Sequence, residues 1–229
     1  MAKDKKKKGT AAGEDSVSTR DAAPELYTTV ECEGVAEFEE KKSVFIGHCA
    51  RVTNEEDAAA YVKQLKKQYA DARHNVWAYL LRGGIVARYS DDGEPQGTAG
   101  IPCLDVLLKE DVTDCCVVVT RYFGGIMLGA GGLVRAYSHG AKIALDSGGI
   151  ITMSLCKIVK ATADYNFYGR LVPLICEGGG IVEDTEFTDN VTVTFRMPED
   201  LVGSFRARLI DVSNGRFDCE VVDERFCEI

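Results

Sequence analysis

The sequence predicts an α+β protein of two domains, the second a β-α-β-β-α-β sandwich. Three observations predict it: β-prone runs alternate with amphipathic helical stripes, the pair Gly148-Gly149 closes one long stripe, and a new strand pattern begins at Ile150. With 229 residues, 45% of them hydrophobic and 28% charged, the chain has material for one large or two small globular domains. That composition excludes wholesale disorder and a fibrous repeat.

Residues 1–20 carry six Lys or Arg, including the run 5–8, against three acids, with almost no large apolar side chains. A disordered basic tail over 1–22 is expected, a solubilising extension rather than a docking arm. From Leu26 the pattern becomes structural. Residues 26–31 and 37–52 read as strands on Phe38, Val44, Phe45 and Ile46, with Gly34 at the turn between them. Asn54 before Glu55, Glu56 and Asp57 is an N-cap with acids in the first turn, and Val62, Leu65 and Tyr69 continue a helix to about Ala70. Two runs, 75–82 and 85–89, flank Gly83-Gly84 as a hairpin. Residues 92–102 are loop by composition, and 101–108 form a short helix. Residues 115–122, with three consecutive valines at 117–119, read as a strand buried on both faces. After the glycine-rich stretch 124–132, Leu133, Ala136, Tyr137, Gly140 and Ala144 make one helical stripe.

In the second half, 153–165 is a strand and Asn166 caps a helix through Ile175, with Pro173 as a predicted kink. Residues 181–187 and 191–197 alternate like paired strands. Pro198, Glu199 and Asp200 open a helix with Leu201, Val202, Phe205 and Leu209 on one face, stopped by Asn214-Gly215 before a strand at 217–222. This element order is that of a ferredoxin-like fold.

Charge and cysteine usage bound the function. The net charge is −9, and outside the first twenty residues 21 basic side chains face 33 acidic ones, which disfavours wrapping of a nucleic-acid backbone. No uninterrupted apolar run reaches membrane-spanning length, and the N-terminus lacks the apolar stretch of a secretory signal. The nine cysteines form no C-x-x-C pair and sit among apolar neighbours, so a reducing, cytoplasmic setting is expected rather than a disulfide framework or a zinc site.

Two segments carry possible chemistry. The loop 90–102 places Asp91, Asp92 and Glu94 ahead of small residues, either to hold a hard cation or supply a general base, or to form a tight turn before a capped helix. The stretch 120–137 has five glycines in nine residues between a buried strand and a helix, with Arg121 and Arg135 at its flanks. Such a junction can gather backbone N–H groups around an anion, or simply allow a sharp turn and close helix packing. It matches neither the P-loop nor the G-x-G-x-x-G pattern. His74, Asn75 and Trp77 stand at the start of a strand, as a base or stacking group or as packing residues. His48 and His139 have weaker claims.

At these segments the chain resembles the YigZ/IMPACT family. The strings DDGEPQGTAGIP at 91–102 and VVVTRYFGGIMLGAGGLVRAY at 117–137, preceded by RHNVWAY at 73–79, occur in the family's order, and the likeness extends over residues 26–229. The family's common spelling has a cysteine where this chain has Val76 and a lysine where it has Met127, so neither a thiol at 76 nor a cation at 127 serves here. The resemblance implies an N-terminal domain (23–149) with the left-handed βαβ fold found in a small-subunit ribosomal protein and in elongation factor G domain four. It implies a C-terminal domain (150–229) like domain five of that factor. Bacterial members have no settled activity, while eukaryotic relatives regulate translation through a protein partner.

The expectation is therefore a translation-associated regulator without chemistry of its own, binding a translation-related protein, the ribosome or RNA, with no cofactor and no metal. The contact residues would be His74, Asn75, Trp77, Gln96, Thr98 and Tyr122. The alternative is an enzyme that holds a phosphorylated small molecule or nucleotide on Arg121, Gly124, Gly125, Gly129, Gly131, Gly132 and Arg135. Its catalytic candidates are His74, Asp91, Asp92 and Glu94. Both readings place the acidic loop and the arginine-glycine loop across one cleft, with His74 at its rim.

Overall fold

The computed structural model describes residues 26–82 and 86–228, and the basic tail expected over 1–22 lies outside them. Fifteen elements build two five-stranded sheets. The first has the order β2-β3-β6-β4-β5, from β2 (Gly34–Glu40), β3 (Ser43–Arg51), β6 (Cys115–Tyr122), β4 (His74–Leu81) and β5 (Val86–Ser90), with every neighbour antiparallel. The stretch 37–52, expected to be extended throughout, turns at Lys41-Lys42, whose φ values of 48° and 64° give the left-handed pair that a tight hairpin needs. β4 and β5 pair as expected, and the Gly83-Gly84 turn falls on residues outside those described.

Helix α1 (Glu55–Gln68) covers one face of this sheet, packing Ala58, Tyr61, Val62 and Leu65 on Ala50, Tyr79, Cys116 and Val118. Its cap is the expected one, since the Asp57 N–H donates to Asn54 Oδ1 at 2.8 Å. Helices α2 (Gly100–Lys109) and α3 (Ala130–Gly148) cover the other face, on Phe45, Val76, Val117 and Val119. β6 is thus buried on both sides, which accounts for its unbroken apolar run.

The second sheet has the order β10-β7-β9-β8, from β7 (Ile150–Ala163), β8 (Ile181–Phe187), β9 (Val191–Pro198) and β10 (Cys219–Glu228), all antiparallel. Helices α4 (Tyr165–Glu177) and α5 (Glu199–Val212) pack on one face through Phe167, Leu171, Phe205 and Leu209. This is the β-α-β-β-α-β order read from the sequence. One detail differs: Asp164, not Asn166, caps α4, accepting the Phe167 N–H at 2.8 Å. Pro173 lies inside the helix, as the expected span through Ile175 has it. The carbonyl that Pro173 leaves without its helical donor belongs to Gly169, and both residues are exposed.

One strand departs from the expected grouping. β1 (Leu26–Val30), read with the first half, hydrogen-bonds β7 in the second sheet, while the Thr113 N–H donates to its Thr28 carbonyl at 2.9 Å and Val30 enters the first core. Arg82, just after β4, sets its guanidinium against the edge-to-face pair of Tyr27 on β1 and Phe226 on β10, 3.8 and 4.0 Å from their centroids. β1 therefore straps the two sheets together.

Candidate ligand-binding cleft

Strand alternation sets the floor of the cleft. His74 and Arg121 are cross-strand partners on β4 and β6, on the face that buries Val76, Val117 and Val119. They stand at the end of that face, beyond the valines. The loop from Ser90 to Ala99 is folded over them by Asp91, whose carboxylate accepts the N–H groups of Gly97 (2.8 Å), Ala99 (3.1 Å) and Gly100 (2.8 Å). Asp91 so serves the first amides of α2, whose own N-cap residue Ala99 offers no side-chain acceptor. Asp92, at φ 43°, pairs with Lys66 at 2.5 Å and accepts the Asn75 N–H at 2.7 Å. With these two anchored, the chain carries Glu94 inward.

Glu94 Oε1 meets Arg121 Nη1 at 2.6 Å and accepts the Tyr137 hydroxyl at 2.8 Å. The pair is dry, with the two side chains 5% and 7% exposed. Arg121 also donates to Ser43 Oγ at 3.4 Å, while its buried Nε has no partner among the described residues. Burial, and then the negative charge of Glu94, pushes the Tyr137 hydroxyl well above the ordinary tyrosine range and keeps it a donor. His74 places Nδ1 2.8 Å from the Asp92 carbonyl and Nε2 3.9 Å from Glu94 Oε1. Above this floor opens a cleft of about 460 Å³, walled by Pro95 on one side and by Phe123, Met127, Leu128 and Leu133 on the other, with Arg73 at its edge. Met127 is 84% exposed.

Comparison with known proteins gives this arrangement a family. The Impact N-terminal domain model matches residues 41–145, which hold the whole cleft, and a domain of unknown function (DUF1949) matches 162–216. The IMPACT family member YvyE of Bacillus subtilis (strain 168) is 37% identical over 84% of this chain and 89% of its own length. The chain belongs to the IMPACT family. The family member YigZ of Escherichia coli (strain K12) is 33% identical over 80% of this chain and 92% of its own. A solved structure titled as that of a hypothetical protein aligns with a TM-score of 0.55 at 30% identity, covering 88% of this chain and all of that one.

In this IMPACT chain the acidic loop and the arginine-glycine loop face each other, and His74 lies on the floor of the cleft, its side chain 13% exposed, rather than at the rim. Other candidates are dispersed. Asn75, Trp77 and Thr120 alternate to the opposite face of the sheet, where Thr120 donates to Asn75 Oδ1 at 2.7 Å and Trp77 stacks on Tyr79. Tyr122 shares that opposite side and bonds Asp71 at 2.9 Å. Thr98 donates its hydroxyl to the Pro95 carbonyl at 2.6 Å and so braces the loop, while Gln96 is exposed. Arg135 lies in a separate depression of about 490 Å³ with Lys41 and His139. His48 is buried under α1 beside Tyr69.

The glycines divide as well. A side chain on Gly124 would overlap the Lys42 carbonyl, so close backbone approach requires glycine there. Gly129, at φ 76°, has open space around it and begins α3 without a side-chain cap. Gly125 and Gly131 also have room, while Gly132 packs on Leu128. Sequence reasoning missed Ser43 and the cleft role of Tyr137, which it had placed in the α3 stripe. The available signal was that Tyr137 is the largest polar-tipped residue of an otherwise small-residue stripe, and a buried tyrosine hydroxyl needs a partner.

Proposed function

We propose that this IMPACT-family chain is a translation-associated regulator that acts by binding a protein partner at the rim of the cleft, without catalysis of its own. One observation carries the reading: the carboxylates that chemistry would use are already engaged. Asp91 holds three backbone amides, Asp92 holds Lys66 and the Asn75 amide, and Glu94 holds Arg121 and Tyr137. Among the described residues no group of three His, Cys, Asp or Glu side chains comes together as a metal site. The enzyme alternative has less support, because Arg121 neutralises Glu94 and Arg135 lies elsewhere.

The rim favours protein over RNA. Phe123 and Ile126 are 47% and 42% exposed beside Met127, an apolar edge of the sort that marks protein contacts. The net charge of −9 opposes phosphate. The link to translation comes from the family resemblance. No helix of the described residues is long and apolar enough to cross a membrane.

The test is affinity capture from lysate with and without ribonuclease, comparing wild type with Met127→Glu and Phe123→Ser. Capture that resists ribonuclease and fails in both variants, at unchanged melting temperature, supports the reading. Capture abolished by ribonuclease overturns it in favour of RNA.

A further inference from the structure

Helix α3 begins without the usual partners at its first turn. Gly129, at φ 76° and ψ 164°, offers no side-chain acceptor, and no acid stands among the first helical residues. The first bond of the helix runs from the Leu133 N–H to the Gly129 carbonyl at 2.9 Å, so the amides of Ala130, Gly131 and Gly132 have no acceptor among the described residues. The backbone there is bare, since a Cβ on Gly129 would have nothing within 4 Å. The other helices are served: α1 by Asn54, α2 by Asp91, α4 by Asp164, and α5 by Glu199 and Asp200.

Cations gather at this end instead of acids. Arg135 folds back along the helix and sets Nη1 3.7 Å from where a Cβ on Gly131 would stand, although it opens on the neighbouring depression. Arg73 is exposed at the edge of the cleft that Gly129 and Ala130 line. Neither makes an ion pair among the described residues. A positive charge beside a helix N-terminus opposes the dipole, and an anion placed there relieves both. A second observation is independent of the helix. Arg121, 5% exposed, lines the same cleft; with Nη1 on Glu94 and Nη2 on Ser43, its Nε is a buried donor that has no acceptor among the described residues. Of the nearby acids, Asp91, Asp92 and Glu94 are engaged, and the exposed Glu39 and Glu40 are matched in number by Lys41 and Lys42. The helix end therefore sums positive, whichever protonation state His74 takes.

We infer that the start of α3 binds a single oxyanion, phosphoryl or carboxylate, carried on an apolar body. Its oxygens accept the amides of Ala130, Gly131 and Gly132, Arg73 and Arg135 supply the countercharge, and Arg121 Nε supplies a donor from the floor. The apolar body lies on Phe123, Met127 and Leu133, which wall the same cleft. The net charge of −9 opposes a polyanion, not one group held at a locally positive end. This site stands apart from the protein-partner reading: partner capture that survives the changes below leaves the rim reading intact, and anion binding without a captured partner leaves this site intact.

The experiment is titration of the isotope-labelled full chain, at constant ionic strength, with phenyl phosphate, phenylacetate and benzyl alcohol, read by the amide resonances of Ala130, Gly131 and Gly132. At least one of the two anions should shift these amides saturably, and the neutral alcohol should not. Ala130→Pro suits the first helical position while removing one N–H, so it should weaken anion binding about threefold or more at an undiminished melting temperature. Arg73→Ala combined with Arg135→Ala, both exposed positions, should weaken it at least as much and decides the matter if the proline variant folds poorly. Tighter phenyl phosphate assigns the site to a phosphoryl group, and phenylacetate binding as tightly or more so assigns it to a carboxylate; either supports the proposal. Benzyl alcohol shifting the same amides as strongly, no saturable shift with either anion, or unchanged affinity in a folded variant overturns it.

Discussion

Replacing Glu94 by glutamine tests whether the buried pair braces the two loops. The glutamine amide keeps an acceptor for the Tyr137 hydroxyl but removes the charge facing Arg121, which lies 2.6 Å away with both side chains more than nine-tenths buried. Arg121 would keep hydrogen bonds to the amide oxygen and to Ser43 but lose its counter-charge, and its Nε already lacks a partner among the described residues. Removing one member of such a pair costs about 3–5 kcal/mol, because the survivor remains charged in a dry site. For a chain of this length that is a fall of about 6–20 °C in melting temperature. The comparison is Lys66→Ala, which breaks an ion pair whose side chains are 39% and 25% exposed and should cost no more than about 1 kcal/mol. Urea titration of both variants, and of Glu94→Gln combined with Arg121→Met, reads the costs directly. The double variant should recover much of the loss, since the uncompensated charge is gone. A Glu94→Gln cost below about 1 kcal/mol, or strictly additive losses in the double variant, would refute the brace.

Gly124→Ala should fail to fold or lose several kcal/mol, because its Cβ meets the Lys42 carbonyl, while Gly131→Ala, whose Cβ would make only an ordinary contact with the Arg135 guanidinium at 3.7 Å, should be nearly neutral by the same melting assay. Of the nine cysteines only Cys32 and Cys176 are exposed, so brief native alkylation at pH 8 followed by peptide mass spectrometry should label those two. Cys49, pushed up to about 11 by burial, should stay unlabelled. Burial lowers the His48 pKa, and its Nε2 has no partner, so the native state resists protonation that the unfolded chain accepts. His48 therefore contributes full stability above the ordinary histidine pKa of about 6.5 and loses it as pH falls below that value. A His48→Leu chain should show a shallower loss of stability from pH 7 to pH 5 in urea titrations, and an unchanged slope would remove this account.

The elements were legible because their signals are local. Asn54 with three following acids fixed the start of α1, and the three consecutive valines at 117–119 required burial on both sheet faces. What escaped was non-local. β1 reads as an ordinary strand, and nothing within five residues says whether it pairs with β2 or with β7, more than a hundred residues away. Its place is set by Tyr27 and Phe226 closing on Arg82, a contact among three distant segments.

The cleft shows the same division at finer scale. Proximity in sequence grouped His74 with Asn75 and Trp77, yet the period of two along β4 sends His74 to the face shared with Arg121 and its neighbour to the face under α1. The loop acids were likewise grouped, and within four positions the chain gives them three different tasks: amide anchor, lysine partner and arginine partner. Only Glu94 reaches the floor, because Asp92 and Gly93 take positive φ values of 43° and 86° and reverse the chain just before it. Composition identified the right loop, and left-handed backbone at two positions decided which carboxylate became the buried one.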